Sequence, residues 1–291
     1  MTANQDRVGF DKRLRRSAAV GALSLVAISC AAAVARAGDD ASPWNGDARS
    51  AVRLIAGGAA GSAGAAAQAG IEIRLKAGWH TYWRYPGDAG VPPRIDFADS
   101  QNVKSVTVLW PAPQRIVEEG LTAIGYTGDV IWPLAVVAQS LGKPVMLRLK
   151  LDYAVCEKLC VPAEGQAELT LAGTASPTNA ALKAALARVP RKVALGEGSS
   201  LAIRSVHREG DAKRVIVDVA APAGAPLALF VEGPTAEWAL PVPMAIGAPS
   251  GLRRFAFELD GAPPGAKYEG AAITLTAVAA EQAIEVATHL D

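Results

Sequence analysis

The sequence predicts an all-β protein made of two β-sandwich-like domains joined by a short helical linker. Three observations carry that prediction. Val145, Leu147, Leu149, Leu151 and Tyr153 alternate with Met146, Arg148, Lys150 and Asp152, the period of a strand with one buried face. Most other apolar runs are equally short and are divided by turns rich in Pro and Gly. Only one segment, 177–188, carries helix signals. A single larger β-sandwich is the competing architecture.

Taken in order, residues 1–37 read as a secretory signal. Lys12, Arg13, Arg15 and Arg16 form a basic start, Ala18 to Ala35 is apolar and small, and Ala35-Arg36-Ala37 fits a cleavage site near Ala37. A retained anchor is the weaker alternative, because the run is short and Ala-rich for a span. Lipid attachment at Cys30 is another, but Ala27-Ile28-Ser29 suits it poorly.

The first domain is placed at 38–174. Val52–Ile55 and Ile71–Leu75 read as strands, and the Gly/Ala-rich stretch 57–70 between them reads as a long hairpin loop with little to pack. Val103–Leu109 and Val130–Val137 follow, divided by Trp110-Pro-Ala-Pro113 and by Gly125-Tyr-Thr-Gly-Asp129. The alternating run 145–153 returns through Ala167, Leu169 and Leu171 as an antiparallel hairpin. The linker is placed at 175–197: Ser176 can cap a helix, Pro177 suits its first position, and Leu182, Leu186 and Val189 share a face. The second domain, 198–291, holds the strand patterns Leu201–Val206, Val215–Val219, Leu227–Val231, Arg254–Glu258 and Ile273–Val278.

Without residues 1–37 the chain has 23 basic and 26 acidic side chains, a formal balance of −3. That balance, with no basic patch interleaved with aromatics, argues against a nucleic-acid partner. After residue 37 no stretch is apolar enough to cross a bilayer, so the mature chain is not expected to span a membrane. No Ser-His-Asp set or spaced carboxylate pair stands out, and the Gly/Ala tract lacks the Lys-Ser/Thr ending of a phosphate loop. No cofactor and no resident metal are expected.

The chemistry rests on Cys156 and Cys160 in Tyr153-Ala-Val-Cys-Glu-Lys-Leu-Cys-Val-Pro162, near the tip of the predicted hairpin. Outside the cytoplasm a disulfide is permitted, and the mature chain has only this pair. Three intervening residues close a small loop, so its stabilisation falls at the low end of about 0–5 kcal/mol. What a small ring at a hairpin tip can do is present a sulfur to an incoming thiolate. Glu157 disfavours a thiolate there and Lys158 favours one, so the two offset. Two alternatives stay open: a noncatalytic exported binding or scaffolding module with a structural disulfide, and a copper-handling protein whose thiolates bind copper(I). His80, the one His of the first domain, reads as an ordinary surface or strand-end residue, and Glu118-Glu119 as a solvated loop. Trp79, Tyr82, Trp83 and Tyr85 read as core and loop cover rather than a carbohydrate platform.

Four blocks carry a resemblance. Gly78-Trp-His-Thr-Tyr-Trp-Arg-Tyr-Pro-Gly-Asp-Ala-Gly-Val-Pro-Pro93, Trp110-Pro-Ala-Pro113, Gly125-Tyr-Thr-Gly-Asp129 and Cys156-Glu-Lys-Leu-Cys-Val-Pro162, in that order and spacing, resemble the periplasmic amino-terminal domain of the DsbD/ScsB protein-disulfide reductase family. The likeness covers about residues 45–173, and 198–291 looks like the second β domain of the ScsB-like branch. It implies an immunoglobulin-like redox domain in the periplasm whose two cysteines cycle between dithiol and disulfide. It also implies that Cys160 is the exchanging residue, Cys156 the resolving one, and Tyr126 a shielding aromatic cap; the competing reading of Tyr126 is that it merely packs at a strand end. Glu118, Glu119 and Lys158 are the candidate partner-docking residues. Periplasmic thiol oxidoreductases are the implied clients. The sequence shows neither a polytopic membrane domain nor a thioredoxin-like Cys-x-x-Cys domain, so a separate membrane electron carrier of the DsbD/CcdA type is expected to reduce the pair. The alternative is that the pair serves another exchange, such as one linked to copper tolerance or to cytochrome maturation.

Overall fold

Short strands with one apolar face must cover that face with another sheet, and this chain does so twice. The computed structural model describes residues 40–57, 67–88, 90–118, 120–171, 180–209, 213–247 and 251–291. The expected signal segment with Cys30, the cap residues Ser176 and Pro177, Glu119 and the side chain of Glu118 lie outside the described residues. No helix among the described residues is long and apolar enough to cross a membrane.

The first sandwich is built from β1 (Asn45–Gly46), β2 (Ser50–Ala56), β3 (Ala67–Leu75), β4 (His80–Gly87), β5 (Arg94–Asp96), β6 (Val103–Val108), β7 (Gln114–Glu118), β8 (Leu121–Thr127), β9 (Val130–Ala138), β10 (Val145–Cys156) and β11 (Cys160–Leu171). One sheet has the order β1-β2-β3-β9-β6, and the other has β11-β10-β4-β8-β7 with β5 added along β10. Helix α1 (Ala180–Ala187) follows. The second sandwich holds β12 (Arg191–Lys192), β13 (Ala202–Arg208), β14 (Arg214–Ala220), β15 (Leu227–Glu232), β16 (Met244–Ile246), β17 (Arg253–Glu258), β18 (Ala272–Ala279) and β19 (Gln282–His289). Its sheets run β12-β19-β18-β15 and β13-β14-β17-β16. The architecture is therefore a β-sandwich, one helix and a second β-sandwich.

The alternation read over 145–153 is the inner face of β10. Val145, Leu147, Leu149, Leu151 and Tyr153 are all buried, packed against Leu54, Ile71, Trp132 and Leu134 of the facing sheet. Leu169 and Leu171 on β11 join the same core. Two segments behave differently from their sequence pattern. Ala67–Gly70, read as part of a loop with little to pack, is the start of β3 and pairs with both β2 and β9. Its smallness has a packing cause: a Cβ on Gly70 would meet Leu182 Cδ1 at 3.0 Å and Ile131 Cγ2 at 2.9 Å. The missing side chain lets the one fully buried residue of α1, Leu182, seat on the sheet. Gly125–Thr127, read as part of a turn, is the end of β8, and the turn is confined to the residues between β8 and β9.

In the second sandwich, Val215, Val217 and Val219 of β14 pack with Phe255 and Phe257 of β17, Leu229 and Leu275. On the other face of β14, Asp218 accepts Arg254 Nε–H at 2.7 Å and Nη2–H at 2.9 Å. Those hydrogen bonds hold the carboxyl below its ordinary range, against the opposing effect of burial. Because the folded-state value is depressed, the contribution is complete above the unfolded carboxylate range near ~4 and fades as the pH falls through the folded value. Asp218→Asn is expected to cost about 1–3 kcal/mol at neutral pH and progressively less in acid. Melting curves of both proteins between pH 2.5 and 7 check this, and an acid-independent gap would contradict it.

The two sandwiches share a core. Phe230 and Val242 of the second belong to the first sandwich's apolar cluster, and the Phe230 ring lies 5.9 Å from that of Trp83. Beside them Arg84 donates to Glu232 Oε1 at 2.8 Å and Oε2 at 2.7 Å, and to Glu285 Oε2 at 2.6 Å. Tyr85 donates its hydroxyl to the Leu240 carbonyl at 2.5 Å, and Arg115 Nη2 donates to the carbonyls of Leu229 and Pro243. Strand β4 thus carries the junction.

Candidate functional site

The first half of the same strand carries the site. In the β10–β11 hairpin Cys156 and Cys160 form the last cross-strand pair, and they are joined by a disulfide. On its other side β10 pairs with β4, placing His80 opposite Cys156 and Thr81 opposite Val155. Thr81 Oγ1 donates to the Ala154 carbonyl at 2.9 Å and ties the two strands at this point.

The two sulfurs have unequal surroundings. Cys156 is 1% exposed and packs in a small apolar cluster of its own with Tyr82, Ala123 and Ala154, against Ile116. Cys160 is exposed, as are Glu157, Lys158 and Leu159 between the cysteines, Leu159 at 79%. Of the two cysteines, Cys160 is the one that solvent reaches.

Tyr82 joins the two. Its hydroxyl lies 2.8 Å from Cys156 Sγ and 3.1 Å from Cys160 Sγ. The ring is buried beneath the loop after β4: a Cβ at Gly90 would lie 2.7 Å from Tyr82 Cδ1 and 2.3 Å from Pro86 Cβ, so the backbone sits directly on the aromatic face. The His80 ring stands edge-on to the Tyr82 ring, with centroids 5.3 Å apart and planes at 89°.

Of the residues read from sequence, the structure brings together Cys156, Cys160 and the exposed Lys158. Tyr126 lies in the main core: it is buried, its ring is 6.3 Å from that of Trp132, and its hydroxyl donates to the Pro111 carbonyl at 2.9 Å. Burial pushes that phenol well above its ordinary range, so it stays protonated. The phenol on the sulfurs is Tyr82. His80 is a strand-end residue, but it is buried at 2% exposure, not at the surface. Sequence reasoning left Tyr82 and His80 outside the site because the β4–β10 register that sets them beside Cys156 is a long-range pairing. The one available signal was the aromatic block His80–Tyr85 itself. Among the described residues no group of three or more His, Cys, Asp or Glu is arranged to hold a metal ion.

A β-sandwich that offers one sulfur of a hairpin disulfide to solvent and buries the other belongs to the class of domains built around a single cystine. The particular family follows from comparison. Residues 51–172 match the family model "Thiol:disulfide interchange protein DsbD, N-terminal", and the first sandwich is a domain of that family. The crystal structure of the N-terminal periplasmic domain of ScsB from Proteus mirabilis superposes with a TM-score of 0.66 at 19% identity. That superposition covers 87% of this chain and 99% of the ScsB chain, so the shared fold extends beyond the first sandwich. No curated protein matches the chain in sequence.

Proposed function

We propose that the protein is a periplasmic thiol–disulfide exchange protein, which passes reducing equivalents from a separate membrane carrier to client oxidoreductases through Cys156 and Cys160. The observation that carries this reading is the asymmetry of the pair: Cys160 exposed at a hairpin tip, Cys156 buried behind it. The match of residues 51–172 to the DsbD amino-terminal family supports it. In this reading 38–174 is the exchange domain, 175–197 the linker and 198–291 the second domain.

The reduced protein begins the cycle with the Cys160 thiolate attacking a client disulfide. One client thiolate leaves and a Cys160–client mixed disulfide forms. The Cys156 thiolate then attacks the Cys160 sulfur, closing the intramolecular disulfide and releasing the second client thiolate. Two electrons have moved to the client, and the carrier restores the dithiol by the reverse sequence. Lys158 and Leu159 form the exposed edge that a docking partner meets beside Cys160.

The test is the reduction potential of the pair, by equilibration of the purified protein with glutathione or dithiothreitol and thiol counting. A reversible two-electron couple between about −180 and −270 mV is expected. A value below about −300 mV with slow exchange would mark a structural bridge instead. Tyr82 should contribute to that value. Its hydroxyl, 3.1 Å from Cys160 Sγ, is a stronger partner for the Cys160 thiolate than for a disulfide sulfur, so it favours the reduced form. Tyr82→Phe is expected to lower the potential by about 20–60 mV, the equivalent of one charge-assisted hydrogen bond. An unchanged potential in a folded Tyr82→Phe protein would remove this contribution.

A further inference from the structure

The exchange cycle contains a step that the solvent cannot assist. Before Cys156 attacks the mixed disulfide it must lose its proton, yet it is 1% exposed and lies in an apolar cluster. Burial disfavours the charged thiolate, and no bulk water reaches the sulfur to take the proton. A base inside the fold has to do so.

Antiparallel residues directly opposite one another project their side chains from the same face, with Cβ atoms about 4.5–5.5 Å apart. His80 and Cys156 are such a pair, across β4 and β10. His80 is itself 2% exposed, and its ring abuts Tyr82, whose hydroxyl touches both sulfurs. Among the described residues, the titratable groups beside His80 include Tyr82 of its own strand, whose ring it meets edge-on, and Cys156, opposite it on β10. Its partner on β8 is Thr127, which carries none. Asp129, after β8, accepts the Leu75 backbone N–H at 2.9 Å, and Glu157 and Lys158 lie in the exposed turn between the cysteines. A phenol holds its proton more tightly than a thiol does, so Tyr82 serves as a donor rather than a base. An imidazole is the group in this cluster suited to accept a proton near neutral pH.

We propose that His80 is the proton acceptor for the resolving cysteine, an inference that rests on the exchange reading above. The neutral imidazole takes the Cys156 thiol proton, and the Tyr82 hydroxyl hydrogen-bonds the nascent thiolate. That thiolate attacks the Cys160 sulfur of the mixed disulfide. The sulfur–sulfur bond to the client breaks, the client sulfur leaves with the electron pair and takes a proton from solvent, and the imidazolium remains. When the carrier reduces the pair, the imidazolium returns its proton to Cys156. Cys160 is exposed and needs no such help, which explains why the His stands opposite Cys156.

The experiment uses the full reduced protein with glutathione disulfide as the probe. Acid quenching and mass spectrometry follow the glutathione adduct on Cys160 as it forms and resolves, between pH 5.5 and 9. In the wild type, resolution should rise with pH through the imidazole range and then level off. In His80→Gln the adduct should form at the wild-type rate but resolve about 10²-fold more slowly at pH 7, the size of a general-base contribution. Its rate should then climb about tenfold per pH unit with no level stretch up to pH 9. Equal resolution rates and matching pH profiles in the two proteins would overturn the proposal while leaving exchange intact. Should His80→Gln not fold, the wild-type profile decides: a plateau near neutral pH supports the His, and an unbroken rise into the thiol range overturns it. A wild type inert toward glutathione disulfide would overturn the exchange reading, and this inference with it.

Discussion

Cys156→Ser is expected to leave the protein covalently joined to its client. Cys160 still attacks, but nothing resolves the mixed disulfide, so an adduct accumulates that a reductant cleaves. Serine is a conservative choice here, because its oxygen can still meet the Tyr82 hydroxyl where Cys156 Sγ did at 2.8 Å. Cys160→Ser should give no adduct, because the remaining sulfur is buried behind the hairpin. Turnover with a dithiol and a model disulfide should fall by a factor of about 10³ or more in both variants, as expected when a nucleophile is removed. The fold should persist in both. Only three residues separate the cysteines, so the bridge stabilises the chain at the low end of about 0–5 kcal/mol, and melting should drop by a few degrees at most. Nonreducing electrophoresis and peptide mapping of the adduct decide the matter. Adducts of equal yield in both variants, or one formed through Cys156, would contradict the assignment of the two sulfurs.

How much of this was legible in the sequence depended on whether one face of a strand meets water. β10 alternates cleanly because Met146, Arg148, Lys150 and Asp152 face outward, so the hairpin and the place of the cysteines followed from residues 145–171 alone. β4 shows no such period. Trp83 enters the core, Tyr82 enters the cluster at the disulfide, and Arg84 and Tyr85 meet the second sandwich, so aromatic and charged residues crowd both faces. A strand covered on both faces by different neighbours hides its pattern. Gly125–Thr127 was hidden by composition, since Gly is a poor strand former unless another strand presses on it. Ala67–Gly70 was hidden for the same reason, with Gly70 making room for Leu182. The choice between Tyr126 and Tyr82 needed register: adjacent strands β8 and β4 point one phenol into the core and the other onto the sulfurs. The alternation of β10 located the cysteines, and only the pairing of β4 with β10 located their neighbours.

Arg84→Met should be among the most destabilising single substitutions in the chain. The side chain is 26% exposed, and its two partners Glu232 and Glu285 are 19% and 15% exposed. Burial works against the guanidinium charge, but the hydrogen bonds it donates to Glu232 and then Glu285 outweigh it and hold the proton more tightly than usual. Removing the cation leaves two largely buried carboxylates beside each other with nothing between them. Lys192 Nζ, 3.9 Å from Glu285 and 87% exposed, is too far out to replace it. The loss is expected at about 2–4 kcal/mol, toward the lower end of the range for breaking a buried pair because all three groups keep some water contact. High salt should recover little of it, since screening acts weakly on partly buried charges. The decisive comparison is Arg84→Met/Glu232→Gln/Glu285→Gln, which removes the orphaned charges together with the cation. If charge at the junction is the cause, the triple variant should be more stable than the single one in denaturant titrations. If the triple is no better, the loss belongs to packing of the guanidinium over Trp83, 4.4 Å from the ring centroid, and not to the ion cluster. Because Tyr82 lies two residues back along the same strand, the potential of the cysteine pair measured in these proteins will also show whether the second sandwich holds β4 in place for the disulfide.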